Sequence, residues 1–101
     1  MNVIILVIDA LRLDHLSING YKRKTSPNID KLISEGTYFS NAYTVLPNTR
    51  PTFASILTGK YPYSHGVRMV FHNKLKPGIS TLQAILKSHG YSTAYTKSDP
   101  H

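Results

Sequence analysis

The feature that most constrains this chain is an uninterrupted apolar run near the N-terminus that stops abruptly at a carboxylate. Residues 3–8 read Val-Ile-Ile-Leu-Val-Ile, and Asp9 follows them directly. β-Branched residues dominate the run, and its lack of polar alternation is typical of a strand buried on both faces, as in a parallel sheet. We therefore predict a buried parallel strand over residues 2–8, with Asp9 at its carboxyl end.

Three helices are predicted from their start and stop signals. Ser26 and Pro27 are typical of a helix start, with the Ser26 hydroxyl as the cap, and Gly36 is typical of a helix end. By the same criteria, two further helices are predicted over residues 49–59 and from residue 80 or 81 to residue 88.

Two more strands are predicted at the β-prone residues 37–43 and 91–97, whereas residues 60–77, rich in Tyr, Pro, His and Gly, indicate irregular surface. The resulting order of strands and helices favours an α/β layered domain with a largely parallel sheet flanked by helices. Because a sheet of three strands is unusually small for this architecture, we expect the chain to be part of a longer domain.

Two oxygen-bearing side chains fall where α/β proteins place ligand sites. Asp9 is predicted beyond the carboxyl end of a strand, where it either accepts hydrogen bonds from the following loop or binds a metal ion. Thr49 is predicted at a helix N-terminus, where backbone amides and the helix dipole attract anions. Its hydroxyl is either an N-cap or a nucleophile activated by a divalent metal shared with Asp9.

Composition narrows the partners and the compartment. A formal net charge of +7 favours anionic partners such as phosphate or sulfate esters, nucleic acid or anionic lipid. The chain has no cysteine, which excludes disulfides and thiolate metal sites and is compatible with a cytoplasmic location. The apolar run is too short for a signal peptide or a membrane span, so neither is expected.

Four segments, in order, resemble the N-terminal region of the sulfatases, which belong to the alkaline phosphatase superfamily. One alone would be a weak signal, but four in register along nearly the whole chain are specific. The segments are residues 2–14 (NVIILVIDALRLD), 25–43 (TSPNIDKLISEGTYFSNAY), 49–67 (TRPTFASILTGKYPYSHGV) and 89–94 (HGYSTA).

The resemblance implies an alkaline-phosphatase-like layered fold, in which residues 1–101 are the N-terminal fragment of the catalytic domain. It implies that Asp9 is a metal ligand and that Thr49 is both the nucleophile and a metal ligand. Arg50 is a candidate for substrate binding, although it is not in register with the arginine of the family signature. The implied cofactor is a divalent metal ion, which can be Ca, Zn, Mn or Mg. His65 matches the histidine of the family's H-G-V segment and is predicted to be structural.

Three positions depart from the sulfatase pattern. Thr49 replaces the Cys or Ser that sulfatases convert to formylglycine, Phe53 replaces an arginine of the signature, and Ala10 replaces a second aspartate. Threonine as nucleophile instead resembles the phosphate-handling relatives. We therefore predict a metal-dependent hydrolase or transferase of phosphate or sulfate esters, and we favour a phosphate ester with a transient phospho-Thr49.

The expected substrate is a small-molecule or polymer ester. The remaining metal ligands are expected from a C-terminal region beyond this chain, so the 101 residues alone are predicted to be inactive. Asp99 and His101 are not assigned to that role. They directly follow the third predicted strand, whereas the remaining ligands of the family lie far downstream in a longer chain. Two alternatives stay open. One is an inactive truncated reading frame. The other is a non-catalytic anion- or nucleic-acid-binding module, although the chain has no nucleic-acid motif and nucleic acid is not the expected partner.

Overall fold

A computed structural model of the chain describes residues 1–69 and 73–97. The chain divides into two compact units, Met1–Ala42 and Tyr43–His101. Within the described residues, the regular elements are helices, and no strand is present.

The sheet is therefore not confirmed: residues 2–8, 37–43 and 91–97 are not strands in this structure. The N-terminal run is also solvent-exposed, with Ile4 at 89% and Leu6 at 78%, so the prediction that it is buried on both faces is wrong. A buried parallel strand needs neighbouring strands to pair its backbone and helices to cover both faces. Residues 1–69 and 73–97 supply no such sheet.

The first unit contains two short 3-10 helices and one α-helix. The 3-10 helices are Leu13–His15 and Ser17–Asn19, between the apolar run and the α-helix. Helix α1, Pro27–Glu35, begins with proline and is followed by Gly36, which confirms the predicted bounds.

Ser26 does not cap α1 with its side chain, which corrects the sequence interpretation. Its buried hydroxyl donates to Asp30 Oδ1 at 2.7 Å and accepts the backbone N–H of Ser17 at 3.0 Å. The Ser17 hydroxyl donates to the other carboxylate oxygen of Asp30. A carboxylate is a stronger acceptor than a neutral group, so Asp30 recruits both hydroxyls and ties the second 3-10 helix to the first turn of α1.

We expect Asp30→Ala to weaken this unit. The hydrogen bond from Ser17, with that from Ser26, lowers the pKa of Asp30 in the folded protein. A lowered folded-state pKa means that the stabilisation is complete above the unfolded value of about 3.9 and is lost as pH falls through the folded value. Hydrogen exchange of the α1 amides at neutral pH should accelerate roughly fivefold in the variant. Lys31→Ala is the control, and equal exchange rates in the wild type and the Asp30 variant would contradict the assignment.

The second unit contains three helices. Helix α2 spans Thr49–Thr58 and closes at Gly59, whose φ of 64° is the left-handed conformation that glycine favours. Helix α2 packs against α3, Pro62–His65, and against α4, Leu82–Ser88. The predicted second and third helices are thus confirmed within a residue or two.

Helix α3 lies in a stretch that the sequence indicates as irregular surface, so that prediction is wrong in part. Its last residue, His65, is fully buried, and Val67 just beyond it is also buried. Pro51 from α2 is also fully buried. Residues 70–72 of the same stretch, together with Asp99 and His101, lie outside the described residues.

Candidate functional site

Asp9 lies at an abrupt backbone turn in the first unit. Its carboxylate is exposed, and Oδ1 accepts the N–H of Ala10 at 2.9 Å. Ala10 has a φ of 56°, the one non-glycine residue with a positive φ in the described chain. That conformation costs an L-residue about 1–2 kcal/mol and is uncommon outside glycine and asparagine. The chain therefore turns sharply just after Asp9 and leaves the carboxylate at the surface.

Thr49 is the first residue of α2, and the N-cap is Asn48, so the alternative interpretation of Thr49 as the cap is wrong. The Asn48 carbonyl accepts the N–H of Thr52 at 3.2 Å, which is the first hydrogen bond of the helix. Thr49 and its neighbour Arg50 are both exposed on this first turn. The structure therefore places the predicted nucleophile and the predicted substrate-binding residue on the same exposed helical turn.

The loop before α2 is fastened to its first turn by two threonines, which sequence reasoning missed. Thr44 and Thr52 both donate their hydroxyls to the Leu46 carbonyl, at 3.0 and 2.9 Å, and the two hydroxyl oxygens lie 3.1 Å apart. This threonine clasp holds the chain on both sides of Thr49. No spacing rule identifies it, because the shared acceptor is a backbone carbonyl.

The N-terminus of α2 is electrostatically suited to an anion. No acidic residue lies in its first turn, so the positive end of the helix dipole is not offset within the helix. Pro51 contributes no N–H, and the N–H of Thr52 is already donated to Asn48. The terminus thus offers one backbone donor fewer than a helix start without proline, and the exposed Arg50 adds a cationic side chain to the same turn.

His65 bridges α3 and α2 from a fully buried position. Its Nδ1 accepts the N–H of Val67 at 3.1 Å, and its Nε2 lies 2.9 Å from Ser55 Oγ. Because a backbone N–H can only donate, Nδ1 carries no proton, and the neutral ring carries its proton on Nε2. Burial lowers the pKa of His65, partly offset by a hydrogen bond to the Pro51 backbone. The prediction that His65 is structural agrees with these contacts.

The candidate metal ligands belong to different units, Asp9 to the first and Thr49 to the second. Among residues 1–69 and 73–97, no three His, Asp or Glu side chains cluster closely enough to hold a metal ion. One carboxylate and one hydroxyl are hard oxygen donors that suit a hard divalent cation. Each could be one of the roughly six to eight oxygens that Ca²⁺ takes.

Comparison with known proteins identifies the class. The family described as Sulfatase matches residues 1–99, and this chain belongs to that family. Membership implies the alkaline-phosphatase-like α/β fold for the domain, and it supports the interpretation of the four sequence segments as sulfatase-like.

Several relatives place the chain within that family. It is 42% identical over 65 residues to an arylsulfatase of Clostridium perfringens, which covers 64% of this chain and 14% of the relative. It is 36% identical to an ulvan-active sulfatase of Formosa agariphila, over 93% of this chain and 18% of the relative. An N-acetylgalactosamine-6-O-sulfatase of Bacteroides thetaiotaomicron is 31% identical over 91% of this chain and 19% of its own length.

The chain thus spans less than one fifth of the length of these three relatives. No solved structure matches it significantly. Among the described residues, no helix combines the length and apolarity needed to cross a bilayer.

Proposed function

We propose that this chain carries the nucleophile and two metal ligands of a sulfatase-family ester hydrolase or transferase. Thr49 is the nucleophile and a metal ligand, Asp9 is the other metal ligand, and Arg50 binds the anionic group of the substrate. The observation that supports this most strongly is the exposed Thr49–Arg50 pair on the first turn of a helix without an acidic residue in that turn. The resemblance of residues 49–67 to the sulfatase signature supports the same assignment, since it implies that Thr49 is at the nucleophile position.

The chemistry is a double displacement. The Thr49 hydroxyl attacks the phosphorus or sulfur atom, the bond to the bridging ester oxygen breaks, and the alcohol leaves with the proton that Thr49 gives up. Water then attacks the Thr49 ester, restores the hydroxyl and releases phosphate or sulfate; an alcohol in place of water makes the reaction a transfer. A threonine hydroxyl is a weak nucleophile at its own pKa and needs activation.

A divalent cation would be held by Asp9 and Thr49, together with further oxygen ligands. When bound, it lowers the pKa of a coordinated hydroxyl and polarises the ester oxygens. Arg50 would contribute a planar set of donors that matches the geometry of a phosphate or sulfate group. The threonine clasp keeps the first turn of α2 in place throughout.

Two ester classes have separate support. The relatives are named as sulfatases, which favours a sulfate ester. Threonine at position 49 favours a phosphate ester, because threonine lacks the chemistry that yields formylglycine and can form an ordinary phosphate monoester. We favour phosphate, on a small molecule or a polymer.

A trapping experiment tests the assignment and the ester class together. The protein encoded by the gene is mixed with p-nitrophenyl phosphate or, separately, with p-nitrophenyl sulfate. The reaction is stopped with acid before the first turnover is complete. We expect the peptide that contains Thr49 to gain one phosphoryl group from the first substrate in intact-peptide mass spectrometry. Turnover accompanied by a label on a different residue would overturn the nucleophile assignment. A label from the sulfate substrate alone would replace phosphate with sulfate.

A further inference from the structure

The His65 ring makes contact with two successive turns of the helix that carries Thr49. Its Nε2 faces Ser55 Oγ at 2.9 Å, and its other partner on α2 is the backbone of Pro51, whose only backbone hydrogen-bonding group is its carbonyl. Pro51 and Ser55 are four residues apart and therefore lie on the same face of α2. A rigid ring held against both positions fixes the helix in rotation and along its axis.

The His65 ring is also held at its other nitrogen, Nδ1, by a residue outside α2. Val67 N–H donates to Nδ1 at 3.1 Å, and α3 places His65 in the interior, where it is fully buried. The Val67 contact also fixes the tautomer, since it leaves Nε2 as the nitrogen that carries the proton of the neutral ring. The donor to Ser55 is therefore defined both in position and in protonation.

We propose that His65 is a positioning residue for Thr49, acting through the Nε2–H bond to Ser55 rather than through contact with the substrate. This inference rests on the proposed function, because the group being positioned is the proposed nucleophile. Thr49 lies two residues before Pro51 and six before Ser55, so a shift of α2 moves its hydroxyl relative to the ester. A misplacement of about 1 Å in a reacting group can cost a hundredfold in rate.

A simple core role and a positioning role predict different results for two partial mimics of histidine. The amide nitrogen of glutamine lies near the position of Nε2, so His65→Gln keeps a donor toward Ser55. The amide oxygen of asparagine lies near the position of Nδ1, so His65→Asn keeps the acceptor for Val67 and loses the donor. Ser55→Ala removes the side-chain acceptor on α2 with a very small change in volume and leaves the Pro51 carbonyl in place.

The experiment measures kcat and KM for these variants of the encoded protein with p-nitrophenyl phosphate and p-nitrophenyl sulfate. We expect His65→Asn and Ser55→Ala each to lower kcat about a hundredfold with KM changed less than threefold. His65→Gln should restore kcat to within about fivefold of the wild type. The His65→Asn/Ser55→Ala double variant should be no slower than either single variant, because both substitutions remove the same hydrogen bond between residues 65 and 55. Ser64→Ala, a neighbouring exposed serine, is the control.

Equal losses in His65→Gln and His65→Asn would overturn the proposal, and so would a kcat within twofold of wild type in Ser55→Ala. Ser55→Ala covers the case in which the histidine variants do not fold, because it leaves the His65 ring and its Val67 contact in place. Thr49→Ala, assayed alongside, separates the two hypotheses. Full turnover in Thr49→Ala refutes the nucleophile assignment. The kcat values of the His65 and Ser55 variants, by contrast, test whether the hydrogen bond between these two residues positions α2.

Discussion

Replacing Thr49 with alanine is expected to lower kcat by at least about a thousandfold, on phosphate or sulfate esters alike. The substitution removes the oxygen that forms the covalent intermediate, and the remaining groups bind the ester without a nucleophile to attack it. KM should change little, because Arg50 and the helix terminus stay in place. Steady-state kinetics with p-nitrophenyl phosphate and p-nitrophenyl sulfate measure the effect.

Thr58→Ala is the matched control, since it makes the same chemical change at the other end of α2. The Thr58 hydroxyl donates to the Ala54 carbonyl at 2.6 Å, within the helix. Turnover should persist in Thr58→Ala and return in part in Thr49→Ser, which restores a hydroxyl. A Thr49→Ala protein that is as active as Thr58→Ala would rule out Thr49 as the nucleophile.

The second large effect is expected at Asp9. Asp9→Asn replaces an anionic oxygen ligand with a neutral amide of the same shape, so divalent-metal affinity should fall at least about a hundredfold. Turnover should fall in parallel and recover in part as the metal concentration is raised. Calorimetric titration with Ca²⁺ and Mg²⁺, together with kinetics at several metal concentrations, tests both expectations.

Asp14→Asn provides the comparison, because Asp14 is an exposed aspartate of the same unit. Its carboxylate accepts hydrogen bonds from Arg12 at 2.6 Å and from the His15 ring at 3.0 Å, and the Arg12 hydrogen bond holds its pKa well below the usual range. Breaking this surface ion pair should leave metal affinity unchanged. Equal metal affinities for Asp9→Asn and the wild type would remove Asp9 from the ligand set.

The helices were predictable because their signals are local. Pro27 and Gly36 mark α1, and the bounds of α2 follow from Pro51 and Gly59. Strands depend on distant partners for their backbone hydrogen bonds, so the run at residues 2–8 could indicate strand propensity without ensuring a sheet. Helix α3 was missed because it is only four residues long and lies among turn-forming residues.

The candidate site was predictable to a similar extent. The place of Thr49 at a helix N-terminus follows from residues adjacent in sequence. The contacts that hold that helix do not, since Thr44 meets Thr52 across eight residues and Ser55 meets His65 across ten. Pairs of this kind depend on how the chain folds back. The turn at Ala10 had no signal either, because alanine rarely adopts a left-handed conformation.

The exposed apolar run at residues 3–8 has a practical consequence for anyone producing residues 1–101 by themselves. Ile4 and Leu6 are largely in solvent, and the run contains neither charge nor proline to discourage edge-to-edge pairing between copies. High concentration and slow refolding would therefore favour insoluble material. We expect more soluble protein from expression at low temperature, with co-expressed chaperones and with handling at low concentration.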